Sequence, residues 1–126
     1  MWIFTQEGFV SAVRSKNKSD ELMVRSRDSQ SLESLADFAS TEIINTPYND
    51  YPWRVFVTDA VFNKYMELVV DQVDYPNFKN RATETRGHDY HHLLAEVWYT
   101  MTQFEDTDAR AAARARTPLV PARQAK

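Results

Sequence analysis

The chain has 126 residues, of which 43% are hydrophobic and 13% aromatic, and this composition can fill the core of one small domain. It contains no cysteine, which excludes a disulfide framework, thiol catalysis and a cysteine metal site. Only two glycines are present, Gly8 and Gly87, so neither of the common glycine-rich phosphate-binding motifs can form.

The net charge of −3 at pH 7 is unevenly distributed. Residues 1–106 hold 10 basic and 17 acidic side chains, whereas residues 107–126 hold five basic side chains and one acidic one. Such an asymmetry is typical of a segment that binds nucleic acid or a charged partner, and also of a solvated C-terminus. We therefore expect an acidic body followed by a flexible basic tail over residues 105–126.

The first half of the chain alternates between apolar and polar residues. Residues 2–14 and 21–27 are predicted to form an antiparallel hairpin around a polar turn, with a bend or bulge at Gly8. Asp28 is a suitable N-cap for a short amphipathic helix over residues 29–40. After a loop rich in turn residues, residues 53–57 are predicted to form a third strand.

Helical spacing dominates the second half. Thr58 is a suitable N-cap for a second helix, and Asn77 for a third helix that runs from Phe78 to about Phe104 and bends near Gly87. The buried stripe of this third helix is predicted to comprise Tyr90, Leu94, Val97, Trp98, Met101 and Phe104. The order β-β-α-β-α-α predicts an α+β fold, with a small antiparallel sheet and helices packed on one face, in a single domain over residues 1–104.

All three histidines lie between Gly87 and Leu93. On a helix, His88, His92 and Glu96 are four residues apart and project from one face, so this row could ligate zinc or another borderline metal. The row lies opposite Leu94, on the predicted solvent side, where polar residues are common and no surrounding groups would orient a metal ligand. We therefore predict no cofactor and no catalytic residue, and keep this row as a metal candidate only.

Five residues are candidates for an interaction surface. Arg25 and Arg27 alternate on one face of the second strand, where they could contact phosphate, although the aromatic pattern of common single-strand RNA binders is not evident beside them. Tyr48, Tyr51 and Trp53 surround the proline-rich loop, and such side chains are favoured at protein contacts because they bury a large area at little entropic cost. Anchoring in the core is the alternative explanation for these aromatic residues.

Several short segments occur together in this chain: Met1–Thr5 followed by Gly8-Phe9, Leu22–Arg27, Asp74–Lys79, Gly87-His88 and Val97-Trp98. Together these segments resemble a group of small uncharacterised proteins of actinobacteria and their bacteriophages. The resemblance covers about residues 1–104. It implies an intracellular, phage-encoded accessory protein, and it assigns no catalytic residue.

The leading hypothesis from the sequence is a non-enzymatic interaction protein that modulates a bacterial host factor. One alternative is a nucleic-acid-binding accessory protein that uses residues 107–126 and the Arg25/Arg27 strand, and another is a His-rich metal-binding protein. A free sheet edge could also support a homodimer. Because no apolar run is long enough for a membrane helix and the first residues do not match a signal peptide, the expected location is the cytoplasm of the bacterial host cell, without membrane contact.

Overall fold

Five strands form one antiparallel sheet in the computed structural model, which describes residues 1–116. The strands are β1 Trp2–Thr5, β2 Gly8–Arg14, β3 Glu21–Ser26, β4 Ile44–Asn45 and β5 Trp53–Thr58, and their order in the sheet is β1-β2-β3-β5-β4. The helices are α1 Gln30–Ala39, α2 Asp59–Asp71, α3 Phe78–Arg86, α4 His88–Met101 and α5 Thr107–Arg116, with a 3₁₀ turn at Thr102–Phe104 between the last two. The chain divides into two units, Met1–Leu94 and Ala95–Lys126, so the boundary falls within α4.

The core lies on one face of the sheet because apolar residues alternate along the strands. Val24 of β3 pairs directly with Ala12 on one side and with Val55 on the other, and all three side chains are buried. Helices α1 and α2 pack on this face. The buried cluster comprises Ala12, Val24, Leu32, Leu35, Ala36, Val55, Val57 and Phe62. The predicted α+β fold with an antiparallel sheet is thereby confirmed.

The sheet has five strands where the sequence predicts three. The stretch 2–14 is divided in two because Thr5 to Gly8 form a tight turn, in which the Thr5 hydroxyl accepts a hydrogen bond from the Glu7 amide at 3.1 Å. Gly8 permits this turn with a φ of +146°. The other addition, β4, pairs with β5 over two residues and is too short to show an alternating pattern.

The helix starts follow the predicted caps in two of three cases. Thr58 Oγ1 accepts a hydrogen bond from Val61 N at 3.2 Å, and Asn77 Oδ1 accepts one from Asn80 N at 2.9 Å. The prediction for Asp28 holds in part: Ser29 is the residue directly before α1 and makes no side-chain cap, but the Asp28 carboxylate accepts a backbone hydrogen bond from Ser31 in the first turn. The Asp28 carboxylate also accepts a hydrogen bond from the Ser31 hydroxyl at 2.5 Å and pairs with Arg86.

The last predicted helix is divided at Gly87, which has a φ of +87° and separates α3 from α4. The expected bend near Gly87 is therefore present. Of the predicted buried stripe, Leu94 is buried and Tyr90 is half-buried, whereas four side chains are exposed: Val97, Trp98, Met101 and Phe104. The stripe prediction is wrong beyond Leu94, because α1 and α2 already supply the helical side of the core.

The C-terminal region was expected to be a flexible basic tail from residue 105. Among the described residues, Thr107–Arg116 form α5, and every side chain of this helix is exposed. Residues 117–126 lie outside the described residues, and with them the last two basic side chains, Arg123 and Lys126. The flexibility of the tail stays a prediction.

Candidate binding surface on the sheet

The second face of the sheet, here called the open face, is opposite the one on which α1 and α2 pack. The alternation that turns Ile3, Val10, Ala12, Leu22 and Val24 towards the core turns their neighbours outwards. The open face carries Trp2, Phe4, Phe9, Ser11, Val13, Glu21, Met23, Arg25, Arg54 and Phe56. It therefore combines aromatic, apolar and basic side chains with one carboxylate, which accepts a hydrogen bond from the Ser15 hydroxyl at 2.9 Å.

Three aromatic rings are grouped at the β1–β2 end of this face. Phe4 and Phe9 are directly opposite each other across the two strands and stack with ring centroids 4.7 Å apart. Trp2 meets Phe9 edge to face at 5.8 Å. Trp2 remains 70% exposed and Phe4 37% exposed, so water reaches large aromatic surfaces at the margin of the sheet.

Tyr51, from the loop that precedes β5, lies between two arginine side chains. The Arg25 guanidinium carbon is 4.5 Å from the Tyr51 ring centroid, and that of Arg27 is 4.7 Å away. Such contacts favour the cations because the ring face is electron-rich. Tyr51 is only 6% exposed and also approaches Phe9, with ring centroids 6.4 Å apart, so the arginines and the aromatic rings form one continuous cluster.

Arg25 and Arg54 are direct cross-strand partners on β3 and β5. Like charges in this position repel each other, so their pairing costs stability unless something of opposite charge lies nearby. Residues 1–94 contain six arginines, and Arg14, Arg27, Arg81 and Arg86 each pair with a carboxylate. Neither Arg25 nor Arg54 has such a pair within the described part of the chain.

Neutral atoms hold these two guanidinium groups in place. Arg25 Nη2 donates to Ser11 Oγ at 2.9 Å, and Arg54 Nε donates to Thr46 Oγ1 at 3.1 Å. Arg54 Nη2 also donates to the Tyr51 carbonyl at 3.2 Å. Arg25 Nε is buried and has no hydrogen-bond partner within residues 1–116. The two cations are therefore oriented by the fold but not neutralised by it.

The five predicted interaction residues separate into two groups. Arg25, Arg27 and Tyr51 come together in the cluster, with Arg27 also bonded to the Asp50 carbonyl at 2.9 Å and the Asp50 carboxylate at 3.2 Å. Tyr48 is fully exposed in the loop, and Trp53 is turned towards the core. The cluster thus includes three of the five.

Arg54 is the central residue that the sequence analysis missed. It is the only charged residue in the otherwise apolar run Trp53–Val57, and this unusual residue type is a signal that the sequence provides. Its position opposite Arg25 depends on the pairing of β3 with β5, and residues 27–52 separate these strands in the chain. Strand pairing over such a distance cannot be read from the local pattern.

The histidine row does not form a metal site in the described structure. No group of three or more His, Asp or Glu side chains among residues 1–116 is placed to hold a metal ion. His88 and His92 are exposed in the first unit, and Glu96 is exposed in the second. His91 is half-buried and its Nδ1 forms a hydrogen bond with Thr83 Oγ1 at 2.7 Å, which joins α4 to α3.

A second polar cluster surrounds Arg86. This guanidinium donates to the Glu7 carbonyl at 2.6 Å and to the Asp28 carboxylate at 2.5 Å. Burial acts to raise the pKa of Asp28, but the hydrogen bonds from Ser31 and Arg86 outweigh it, so the pKa of this carboxyl is lower than usual. Burial raises the pKa of the Tyr90 hydroxyl, which donates to the Thr5 carbonyl at 2.7 Å. The polar groups of this cluster are therefore hydrogen-bonded to one another, and their bonds hold α3 and α4 against the β1–β2 turn.

Comparisons with known proteins yield no match, whether to protein-family models, to curated proteins or to solved structures. Among the described residues, no helix is long and apolar enough to cross a membrane.

Proposed function

We propose that the protein is a non-enzymatic nucleic-acid-binding protein whose open sheet face contacts phosphate groups. The observation that supports this function is the cross-strand pair of Arg25 and Arg54, which lacks a carboxylate partner in the described structure. An arginine fork presents donors in a fixed geometry that matches a phosphate. A bound phosphate would also relieve the repulsion between the two cations.

The distribution of charge supports the same function in spite of the net charge of −3. Of the charged strand residues, Arg25, Arg54 and Glu21 lie on the open face, whereas Arg14 lies on the helix-covered face and pairs with Asp59. The acidic residues Glu33, Asp37, Asp59, Glu67 and Asp71 belong to α1 and α2, which pack on the other face of the sheet. A polyanion that approaches the open face therefore meets two arginines and one strand carboxylate, whereas these five carboxylates lie on the other side of the sheet.

The chemistry of the cluster favours binding over catalysis. Arginine stays protonated at neutral pH and cannot exchange a proton with a substrate. Tyr51 is enclosed between Arg25 and Arg27, so its ring supports their orientation. The groups assembled here hold and orient an anion.

The test measures binding of a labelled oligonucleotide by fluorescence anisotropy, with both single-stranded and duplex probes. We expect the double variant R25Q/R54Q to lose about tenfold or more in affinity, and the affinity of the native protein to fall steeply as salt is raised. Lys64 lies exposed on α2, so K64Q is the matched control for loss of positive charge and should bind like the native protein. No binding of either probe at low salt, or equal binding by R25Q/R54Q, would refute the function.

A protein partner is the second candidate function. Tyr48 supports it, because a fully exposed tyrosine in a proline-rich loop is well suited to a protein contact. On this proposal the chain is a phage accessory protein that binds a host factor in the bacterial cytoplasm. A photo-crosslinking amino acid at position 48 should then give one discrete host adduct, and the same group at position 64 should give none.

A further inference from the structure

We infer that the open face selects single-stranded over duplex nucleic acid, because its exposed aromatic rings adjoin the arginine pair. This inference rests on the proposed function. It adds the class of ligand and assigns separate roles to two groups of side chains.

The register aligns the relevant residues in one row across the sheet. Trp2 pairs with Ser11, Ser11 with Arg25, and Arg25 with Arg54, on four successive strands. Adjacent strands are about 4.8 Å apart, so Trp2 is roughly 10 Å from Arg25 along this row at the level of the backbone. An aromatic group thus occupies the β1 end, and the two guanidinium groups lie in the middle of the sheet.

The aromatic rings have surfaces that the fold leaves uncovered. Phe4 stacks on Phe9 at 4.7 Å, and Trp2 contacts Phe9 edge to face, so neither exposed ring is enclosed on both of its faces. Exposed tryptophan and phenylalanine rings cost free energy in water, and an unpaired base can cover them by stacking. A single strand across the row would place bases near Trp2 and Phe4, and phosphates near Arg25 and Arg54.

A duplex cannot make the same contacts. Its bases are stacked within the helix, so it presents phosphates to the arginines and leaves the rings of Trp2 and Phe4 exposed. Only a single strand can therefore stack its bases on the aromatic rings and also place its phosphates on the two arginines. No aromatic pattern is evident beside Arg25 and Arg27 in the sequence, because β1 and β2 supply the rings.

The experiment compares four polyanions on the full-length protein. Labelled oligo(dT) and oligo(rU) of about 15 nucleotides serve as single strands, a mixed-sequence duplex of equal length as double strand, and inorganic polyphosphate as an anion without bases. We expect about tenfold tighter binding of one or both single strands than of the duplex, weak competition by polyphosphate, and quenching of tryptophan fluorescence on binding. The relative affinities of the DNA and RNA probes identify the preferred sugar.

The variants W2A and F4A separate stacking from charge. Each should weaken single-strand binding by roughly fivefold or more while leaving duplex binding unchanged, and W2F, which keeps a ring, should retain most of the affinity. Thermal unfolding of each variant checks that the fold is intact, and W2F preserves the test if W2A does not fold.

The results distinguish failure of this inference from failure of the proposed function. Single-strand selectivity would be overturned if single strand and duplex bind with equal affinity, or if polyphosphate competes as well as a single strand does. If R25Q/R54Q then loses binding of all these polyanions, phosphate binding by the arginine pair remains in place. Full single-strand affinity in W2A and F4A would also overturn single-strand selectivity. Absence of binding to every nucleic acid would overturn both proposals.

Discussion

Gly8 shows at the residue scale how one backbone position determines the packing of the β1–β2 turn. Its φ of +146° lies in a region that side chains rarely adopt. A Cβ at this position would lie 2.0 Å from Ser31 Oγ and 2.8 Å from Arg86 Nη1. The absent side chain therefore allows the turn to approach α1 and α3 closely.

We expect G8A to lower the free energy of unfolding by about 2–4 kcal/mol, since it combines backbone strain with a steric clash. The matched control is G87A, because Gly87 also has a positive φ, of +87°, but has no atom within 4 Å of an added Cβ. G87A should cost only the backbone strain, about 1 kcal/mol. Denaturant unfolding measures both, and a loss in G87A as large as that in G8A would contradict the packing argument.

The Asp28 carboxylate should make the stability of the protein depend on pH. Its pKa is lowered in the folded protein, so its contribution to stability is present above the unfolded pKa of about 4 and is lost as pH falls through the folded value. D28N should therefore be less stable than the native protein at pH 7, by about 1 kcal/mol because the side chain is partly exposed. The difference between the two proteins should decrease as the pH falls below about 4, and urea unfolding at pH 7 and over a series of acid pH values checks this. A difference that stays constant with pH would exclude the ionised carboxylate as its cause.

Some residues of the candidate site can be identified from the sequence alone, but their arrangement cannot. Arg25, Arg27 and Tyr51 were identifiable because their residue types are unusual in their local segments. Their assembly was not, since Tyr51 lies between the two arginines only after β5 pairs with β3. The absence of an ion pair at Arg54 likewise depends on where the carboxylates of other elements lie.

At the scale of elements, local chemistry predicted the helix starts better than the packing of helix faces. Thr58 and Asn77 act as N-caps through their own side chains, which is a property of three or four consecutive residues. The apolar spacing of α4 is an equally clear signal, yet its predicted stripe residues after Leu94, namely Val97, Trp98 and Met101, are exposed. Periodicity shows that a face is apolar, but burial requires a surface that covers it.

Replacement of the α2 N-cap tests this distinction. T58A should lower the free energy of unfolding by about 1 kcal/mol, because Val61 N loses its hydrogen-bond acceptor at the helix start. Ser29 occupies the equivalent position before α1 but makes no side-chain cap, so S29A should change stability by only a few tenths of a kcal/mol. Guanidinium denaturation of both variants gives the comparison. Similar losses in the two would show that the hydroxyl bond at Thr58 contributes little.

At the scale of the whole molecule, carboxylates outnumber basic residues on the helices that cover one face of the sheet, whereas two arginines and one glutamate of the strands lie on the open face. Helices α1 and α2 carry their acidic residues on one side of the sheet. The arginine pair of β3 and β5 lies on the other side. The net charge of the chain therefore does not describe the potential at the open face. A weakly acidic protein can bind a polyanion when unpaired arginines lie together on one face.

The basic C-terminal segment offers the competing location for nucleic-acid binding. Arg110, Arg114 and Arg116 lie on α5, where all side chains are exposed, so substituting them leaves the core of the first unit unchanged. If the open face is the binding surface, R110Q/R114Q/R116Q should reduce affinity less than about threefold, through long-range attraction alone, while R25Q/R54Q reduces it about tenfold or more. Anisotropy titrations at two salt concentrations measure both variants on the full chain. The reverse order would move the nucleic-acid site to the C-terminal segment, because only direct phosphate contacts account for the larger loss and the steeper salt dependence.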